Sequence, residues 1–318
     1  MINNEPRASA HPPSRLYAGI EDLPLFLDFA SRSTLKRGPL RARWHPGDVV
    51  WQLNGIADRP HRNRLYFGAG GVEVAAWIVS DSELWIEATP AGEPRVAEAL
   101  EAAERWWRGR PAGRRSETFS VIVGGRDGER IGTLAALGYR HSGPAGVGFS
   151  MDLTGSLPPV EPPEGFGVRD CVGVEPALRA AAHRSAWDHL EQIGIDAKST
   201  FSTERYLSLR QMPVYDPTLD MLVVAPDGTF VGSCIAWADQ ASGVGVFEPV
   251  GTALAFRGRR LARFMMAEAM RRLKARGMRE ARVGTAHFNT PAIAAYSAAG
   301  FKLVDRGQTW TKTLGTSC

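Results

Sequence analysis

The stretch TGSLPPVEPPEGFG, residues 154–167, constrains this chain more than any other. Its four prolines lack the N–H that a sheet ladder or helix interior needs. About 150 residues lie on each side, a domain's worth. The organisation read from this is a flexible tail over 1–14, a domain over 15–154, a Pro-rich linker over 155–165 and a second domain over 166–318.

The two halves resemble each other. FSVIVGGRDGERIGTLAALGY (119–139) lies against ARVGTAHFNTPAIAAYSAAGF (281–301) without a gap, placing Gly138-Tyr139 on Gly300-Phe301. One long interval points to a duplicated domain rather than a solenoid. Each half mixes strands and helices, so the class is α/β or α+β with a mixed sheet. In the second half, DMLVVAPDGTFVGSCIAWAD reads as two strands about Pro226-Asp227-Gly228, and VGVFEPVGTAL as a strand broken by Pro249. LARFMMAEAMRRLKARG reads as a helix with the stripe Ala262, Met266, Ala269, Met270 and Leu273, closed by Gly277 at C′. TPAIAAYSAAG is a helix with Thr290 at its N-cap and Pro291 at N1. FKLVDRGQTWTKTL reads as a final hairpin.

The chemistry concentrates at FRGRRLARFMM, beginning at Phe256. A strand-to-helix junction leaves helix N–H groups unpaired beside a partial positive charge, which suits a diphosphate. Gly258 and Ala262 are small enough for a close approach. A basic solvated helix face and a nucleic-acid surface are the competing readings. The net charge of +4 is mild and the helix carries core residues at core spacing, so nucleic acid is disfavoured.

This turn, with Asn289, Tyr296 and Gly300-Phe301 downstream, resembles the GNAT superfamily of acyl-CoA N-acyltransferases. The family's turn pattern is matched at Arg257, Leu261 and Ala262, while Arg260 stands where the pattern has glycine. The later strand-and-helix unit is matched at Val283 to Thr285, Asn289, Ala292 and Tyr296. The resemblance covers about residues 165–318. It implies two GNAT-like domains, each a mixed, mostly antiparallel twisted sheet flanked by helices, in a tandem layout similar to mycothiol synthase.

It further implies acetyl-CoA or another acyl-CoA as co-substrate. The diphosphate would lie on the amides of Arg257, Gly258, Arg259, Arg260, Leu261, Ala262 and Arg263, and the pantetheine arm along Val250, Gly251 and Thr252. Asn289 would contact CoA, and Tyr296 would protonate the departing thiolate. A phenol stays protonated at neutral pH, above a thiol. Glu248, four residues before Thr252, is the candidate base toward an amine. His183 and His287 are weaker candidates near the acceptor.

The first half carries Pro94 and acidic residues where the second has its basic turn. Leu134 falls opposite Tyr296, and Asp127 opposite Asn289. A degenerate, non-catalytic domain is expected. Trp44, Trp51, Trp77, Trp85, Trp106 and Trp107 are read mainly as its core. Segment 187–206 is expected to line the acceptor side.

The resemblance implies a small-molecule amine or peptide as acceptor, its identity not legible in the sequence; no nucleic acid, membrane or metal is expected. Cys171, Cys234 and Cys318 match no metal or disulfide pattern. With no signal-like or spanning apolar run, the cytoplasm is the expected location. A non-catalytic acyl-CoA sensor is the alternative, kept open by Arg260: a left-handed non-glycine residue costs about 1 kcal/mol or more.

Overall fold

The computed structural model describes residues 13–37, 44–53, 63–80, 82–111, 116–188 and 199–315. Most of the expected tail, Cys318 and part of segment 187–206 lie outside them. In chain order the strands and helices are β1 (Ser14–Leu16), α1 (Leu23–Arg37), α2 (Pro46–Leu53), β2 (Asn63–Gly68), β3 (Gly71–Ile78), β4 (Glu83–Ala88), α3 (Val96–Arg108), β5 (Thr118–Val123), α4 (Gly128–Ala136) and β6 (Arg140–Asp152). They continue with β7 (Gly167–Asp170), α5 (Pro176–Trp187), α6 (Thr203–Leu209), β8 (Asp220–Val224), β9 (Phe230–Asp239), β10 (Val244–Thr252), α7 (Leu261–Ala275), β11 (Glu280–Ala286), α8 (Thr290–Ala298) and β12 (Lys302–Thr313).

The chain forms two compact units. The first comprises Met1–Trp44, Ile56–Pro144 and Gly307–Cys318, and the second His45–Gly55 and Ala145–Arg306. The division therefore falls before the proline stretch, which belongs to the second unit. Lys274 donates to the carbonyls of Thr154 (3.2 Å) and Gly155, and Arg263 donates to that of Pro159 at 3.4 Å. Those carbonyls have no ladder to join, so side chains from α7 satisfy them.

The strands of the first unit run β1-β2-β3-β4-β5-β12, antiparallel except for the parallel pair β4/β5. Those of the second run β7-β8-β9-β10-β11-β6, antiparallel except for β10/β11. Each unit is thus a mixed, mostly antiparallel sheet flanked by helices. The predicted final hairpin is instead one strand, β12. Gly307 does not turn the chain; it marks the passage from the second unit's share of β12 to the first's.

In the second unit, α7 packs on one face of the sheet. It buries Leu261, Met265, Met266, Ala269, Met270 and Leu273 against Met221, Val223, Cys234, Phe247 and Val283. The helix starts at Leu261 as read, but its buried stripe takes in Leu261 and Met265, and Ala262 is only half-buried. Gly277, at φ 81°, closes α7: its N–H bonds the Lys274 carbonyl, and the Met278 N–H bonds that of Leu273. The opposite face holds α5, which contributes Ala182 to a cluster with Cys171, Val174 and Leu222. The first unit buries Val74, Leu84, Ile86, Leu100, Trp107, Phe119 and Leu134 together.

Of the tryptophans read as first-domain core, Trp44, Trp77 and Trp107 are buried there. Trp85 and Trp106 are half-buried, and Trp51 belongs to the second unit with the rest of α2. No helix among the described residues is long and apolar enough to cross a membrane.

Candidate acyl-transfer site

The parallel pair β10/β11 is short. Val244, Gly245, Val246 and Phe247 pair with Glu280 to Val283, and the recorded register ends there while β11 runs on to Ala286. At the same point β10 shifts register against β9: Phe247 faces Ala236, whereas Val250 faces Cys234. Two residues, Glu248 and Pro249, thus oppose Ile235 alone, a β-bulge that bends the strand. Pro249 does not break the strand; it lies inside the bulge, where no ladder N–H is needed. Trp237 donates its indole N–H to the Glu248 carbonyl at 2.6 Å, satisfying the acceptor the bulge displaces. The result is a wedge between 248–252 of β10 and 284–286 of β11, lined on the β10 side by backbone that has left the β11 ladder.

Val250, Gly251 and Thr252 form the β10 side of this wedge and are half-exposed. On the far face of β10, Trp187 presses on Gly251: a methyl group there would lie 2.2 Å from the indole ring, so only glycine fits. Trp187 stacks on buried His183, with centroids 4.2 Å apart and planes 15° apart. Burial, then the charges of Arg179, Arg205 and Arg184, push His183 down to about 2, so it stays neutral. His183 therefore serves as an aromatic filler. His287 is exposed, with Nδ1 2.8 Å from the Ala145 carbonyl.

The turn after β10 leads into α7. Gly258 adopts φ 79° and Arg260 φ 63°, ψ 15°, the sole left-handed residue other than glycine among those described. Arg260 is the N-cap residue of α7, and no side chain caps the helix. The first helical bond is that of Phe264 N–H to the Arg260 carbonyl at 3.1 Å. The amides of Leu261, Ala262 and Arg263 precede it and have no intrahelical acceptor.

The arginine side chains differ in their use. Arg257 donates to the carbonyls of Thr252 (3.1 Å) and Ala186 (3.2 Å), tying the turn to the ends of β10 and α5. Arg259 lies over the Phe256 ring at 5.5 Å. Arg259 and Arg260 are exposed. Along α7, Arg271 pairs with Glu268, Arg272 with Asp170 and Glu268, and Arg276 with Asp216. The basic face that raised the possibility of nucleic acid is thus largely partnered within the unit.

On the β11 side, Asn289 and not Thr290 caps α8. Its side-chain oxygen accepts from the Ala292 N–H at 3.3 Å, and its amide donates to Thr285 Oγ1 at 2.9 Å. Both ends of that side chain are engaged inside the protein. N-cap preference favours asparagine over threonine, so this was readable in the sequence.

Tyr296, on α8, is buried, with its ring edge-on to Phe149 at 5.8 Å. Burial, then the charge of Glu248, push its hydroxyl well above the ordinary phenol range. Tyr296 and Glu248 are thus within electrostatic reach of each other. Glu248 keeps some solvent contact as a residue, but its carboxyl is enclosed. Burial, then the charge of Asp48, push it up to about 8. Asp48 lies on α2, an element the sequence offered no reason to place here.

Residues 186–301 match the model of the acetyltransferase (GNAT) family. Three solved structures share the fold. A GCN5-related N-acetyltransferase from Sphaerobacter thermophilus is 22% identical, with a TM-score of 0.61 over 96% of this chain and 97% of that one. A tandem GNAT protein from the clavulanic acid biosynthesis pathway is 16% identical, with a TM-score of 0.58 over 96% and 100%. A GNAT-family acetyltransferase from Colwellia psychrerythraea is 13% identical, with a TM-score of 0.59 over 94% and 99%. At these identities the likeness is one of fold. A search of curated proteins finds no match.

Proposed function

Because residues 186–301 are a GNAT-family acetyltransferase domain within a tandem GNAT fold, we propose that this chain is an acyl-CoA-dependent N-acyltransferase, with acetyl-CoA as its donor. The observation that carries the reading is the wedge: β10 leaves β11 at Glu248, an uncapped helix start follows, and a buried phenol lies within electrostatic reach of Glu248. The CoA diphosphate would rest on the amides of 258–263, with Arg259 and Arg260 adding charge. Arg257 shapes the turn rather than touching phosphate. The pantetheine arm would take up the β10 backbone at 250–252. Asn289 acts indirectly, by holding the start of α8 and the Thr285 hydroxyl.

The amine acceptor must lose a proton before it can attack the thioester. Glu248 takes it. Attack then occurs directly within a ternary complex, with backbone N–H groups of the wedge stabilising the developing oxyanion. On collapse the C–S bond breaks and Tyr296 protonates the departing thiolate. Among the described residues no cysteine takes part: Cys171 and Cys234 are buried, and burial pushes both thiols up.

The first unit is proposed to be non-catalytic. Arg260 does hold the left-handed conformation, at a cost of about 1 kcal/mol or more, so a non-catalytic acyl-CoA sensor stands as the second reading. Titration calorimetry with CoA and release of free thiol from acetyl-CoA across a panel of small amines and peptides test the reading. Expected are binding and turnover on at least one acceptor class. Binding without turnover on any of them overturns the enzyme in favour of the sensor.

A further inference from the structure

The second unit includes one helix that its own half of the chain does not supply. Helix α2 comes from residues 45–55. At its start, His45 Nδ1 accepts the Gly47 N–H at 3.0 Å, so Nε2 carries the proton and donates to the Val244 carbonyl at 3.0 Å. Gly47 lies flat on Trp237, where a methyl group would come within 2.2 Å of the ring. Trp237 in turn holds the Glu248 carbonyl. At the other end of α2, Trp51 packs on His183 at 5.5 Å. His183 stacks on Trp187, which presses on Gly251. The helix is therefore anchored along β10 from Val244 to Gly251, and Glu248 falls between the anchors. Asp48 sits in the first turn of α2, its Oδ2 accepting the His45 N–H at 3.0 Å.

We propose that Asp48 is a positioning residue for Glu248: a carboxylate delivered from the N-terminal half that makes Glu248, rather than bulk water, the acceptor of the amine's proton. The proposal rests on the acyltransferase reading above. Two carboxylates in a poorly hydrated site do not both ionise cheaply, so one carries a proton and the pair titrates together. Asp48 accepts a backbone N–H and lies within electrostatic reach of the Arg282 guanidinium on β11. Burial, then the neighbouring charge, raises Glu248, so its carboxylate, the form that reacts, is the stronger base.

The other groups packed around the pair do not replace this pairing. Arg282 bonds Glu280 on β11 at 3.1 Å. Asp239 on β9 binds the Ser242 hydroxyl at 2.5 Å. Burial pushes His45 down to about 4, and Tyr296 and Cys234 stay protonated. The step starts from the Glu248 carboxylate: an ammonium N–H bond breaks, a Glu248 O–H bond forms, and the freed lone pair attacks the thioester carbon. When the C–S bond breaks, Tyr296 gives its proton to the thiolate and regains one from the acylated nitrogen.

The test uses the full chain without ligand, its glutamate δ-carboxyl carbons labelled with carbon-13. The Glu248 resonance is identified by its loss in Glu248→Gln. Its midpoint is expected near pH 8 in the parent, lower by about one pH unit in Asp48→Asn, and restored in Asp48→Glu. Asparagine keeps an oxygen for the His45 N–H; should that variant not fold, Asp48→Ser carries the same expectation. A midpoint that ignores the loss of the Asp48 charge overturns the proposal, as does a parent midpoint in the ordinary carboxylate range. Coupling without CoA binding would sink the acyltransferase reading alone. Turnover with an unmoved midpoint would sink the Asp48 proposal alone.

Discussion

The two units open their sheets at the same place and put opposite things there. In the second, the parallel register ends at Phe247 opposite Val283; in the first it ends at Leu84 opposite Val121. Val121 and Val283 are counterparts at the interval of 162 residues that matches the halves, so Trp85 stands where Glu248 stands. Asp127 and Asn289, also counterparts, are both N-caps, and Gly138 and Gly300 both take positive φ. Beyond that point the units part. In the first, Arg130 reaches back from α4 to donate to the Ile86 carbonyl at 3.0 Å, across the gap that the second unit leaves open. Its other nitrogens hold Glu93 at 2.8 Å each, Arg37 also binds Glu93, and Arg37 holds Asp127 at 2.8 Å.

Burial alone would push the Glu93 carboxyl up. The bonds and charges of Arg130 and Arg37 overcome this and hold it below the usual carboxylate range. The sequence showed acidic residues where the second half has its basic turn. The structure adds that the acid recruits two guanidinium groups and closes the wedge with them. On the proposed reading, the first unit keeps the frame and fills with side chains the gap that the second leaves open.

The largest effect that would sharpen this contrast is at Tyr296, whose counterpart is Leu134. Tyr296→Phe should lower kcat by about 10²–10⁴-fold with CoA affinity kept; steady-state rates and calorimetry measure both, and an unchanged kcat removes its acid role. Next comes the plug. Glu93→Ala strands two buried guanidinium groups and should cost about 3–5 kcal/mol in urea unfolding, with CoA stoichiometry still one per chain. A stoichiometry of two in the parent protein would break the comparison outright.

A smaller effect concerns pH. The Glu248 carboxyl is raised when folded, so the native state binds more protons than the unfolded chain between the ordinary carboxylate range and about pH 8. Its contribution to stability is full below that window and is lost as pH rises through it. Glu248→Gln should flatten that limb of the unfolding free energy against pH; an identical limb would place the carboxyl in water. The smallest effect is at Arg260. Arg260→Gly relieves a left-handed conformation worth about 1–2 kcal/mol, offset by about 0.5–1 kcal/mol of extra chain entropy. A gain between about 0 and 1.5 kcal/mol is expected in thermal unfolding. Weaker CoA binding in the same variant would assign the guanidinium to the phosphates.

What the sequence revealed was local or periodic: the turn, the α7 stripe, the repeat that sets Asp127 on Asn289. What it hid depends on contacts between distant residues. PGDVVWQL reads as a short helix, and nothing in those eight residues says that they pack on β10. The Arg130–Glu93 pair spans 37 positions, and its meaning appears only once β4 and β5 separate. FKLVDRGQTWTKTL looked like a hairpin because glycine beside arginine suits a turn. Its true course was set by the strand it meets, β5.

Helix α2, β6 and β12 carry a further consequence, for how such a protein can be divided. A chain begun at residue 166 would lack α2, the 145–152 strand that pairs with β11, and the Leu157 side chain packed on the second core. It would keep 307–313, which pairs with β5 of the missing half. The halves still match in sequence at an interval of 162 residues, yet neither can be lifted out as a cassette. Recombination or fusion at the proline stretch, the most inviting seam in the gene, would cut through both units.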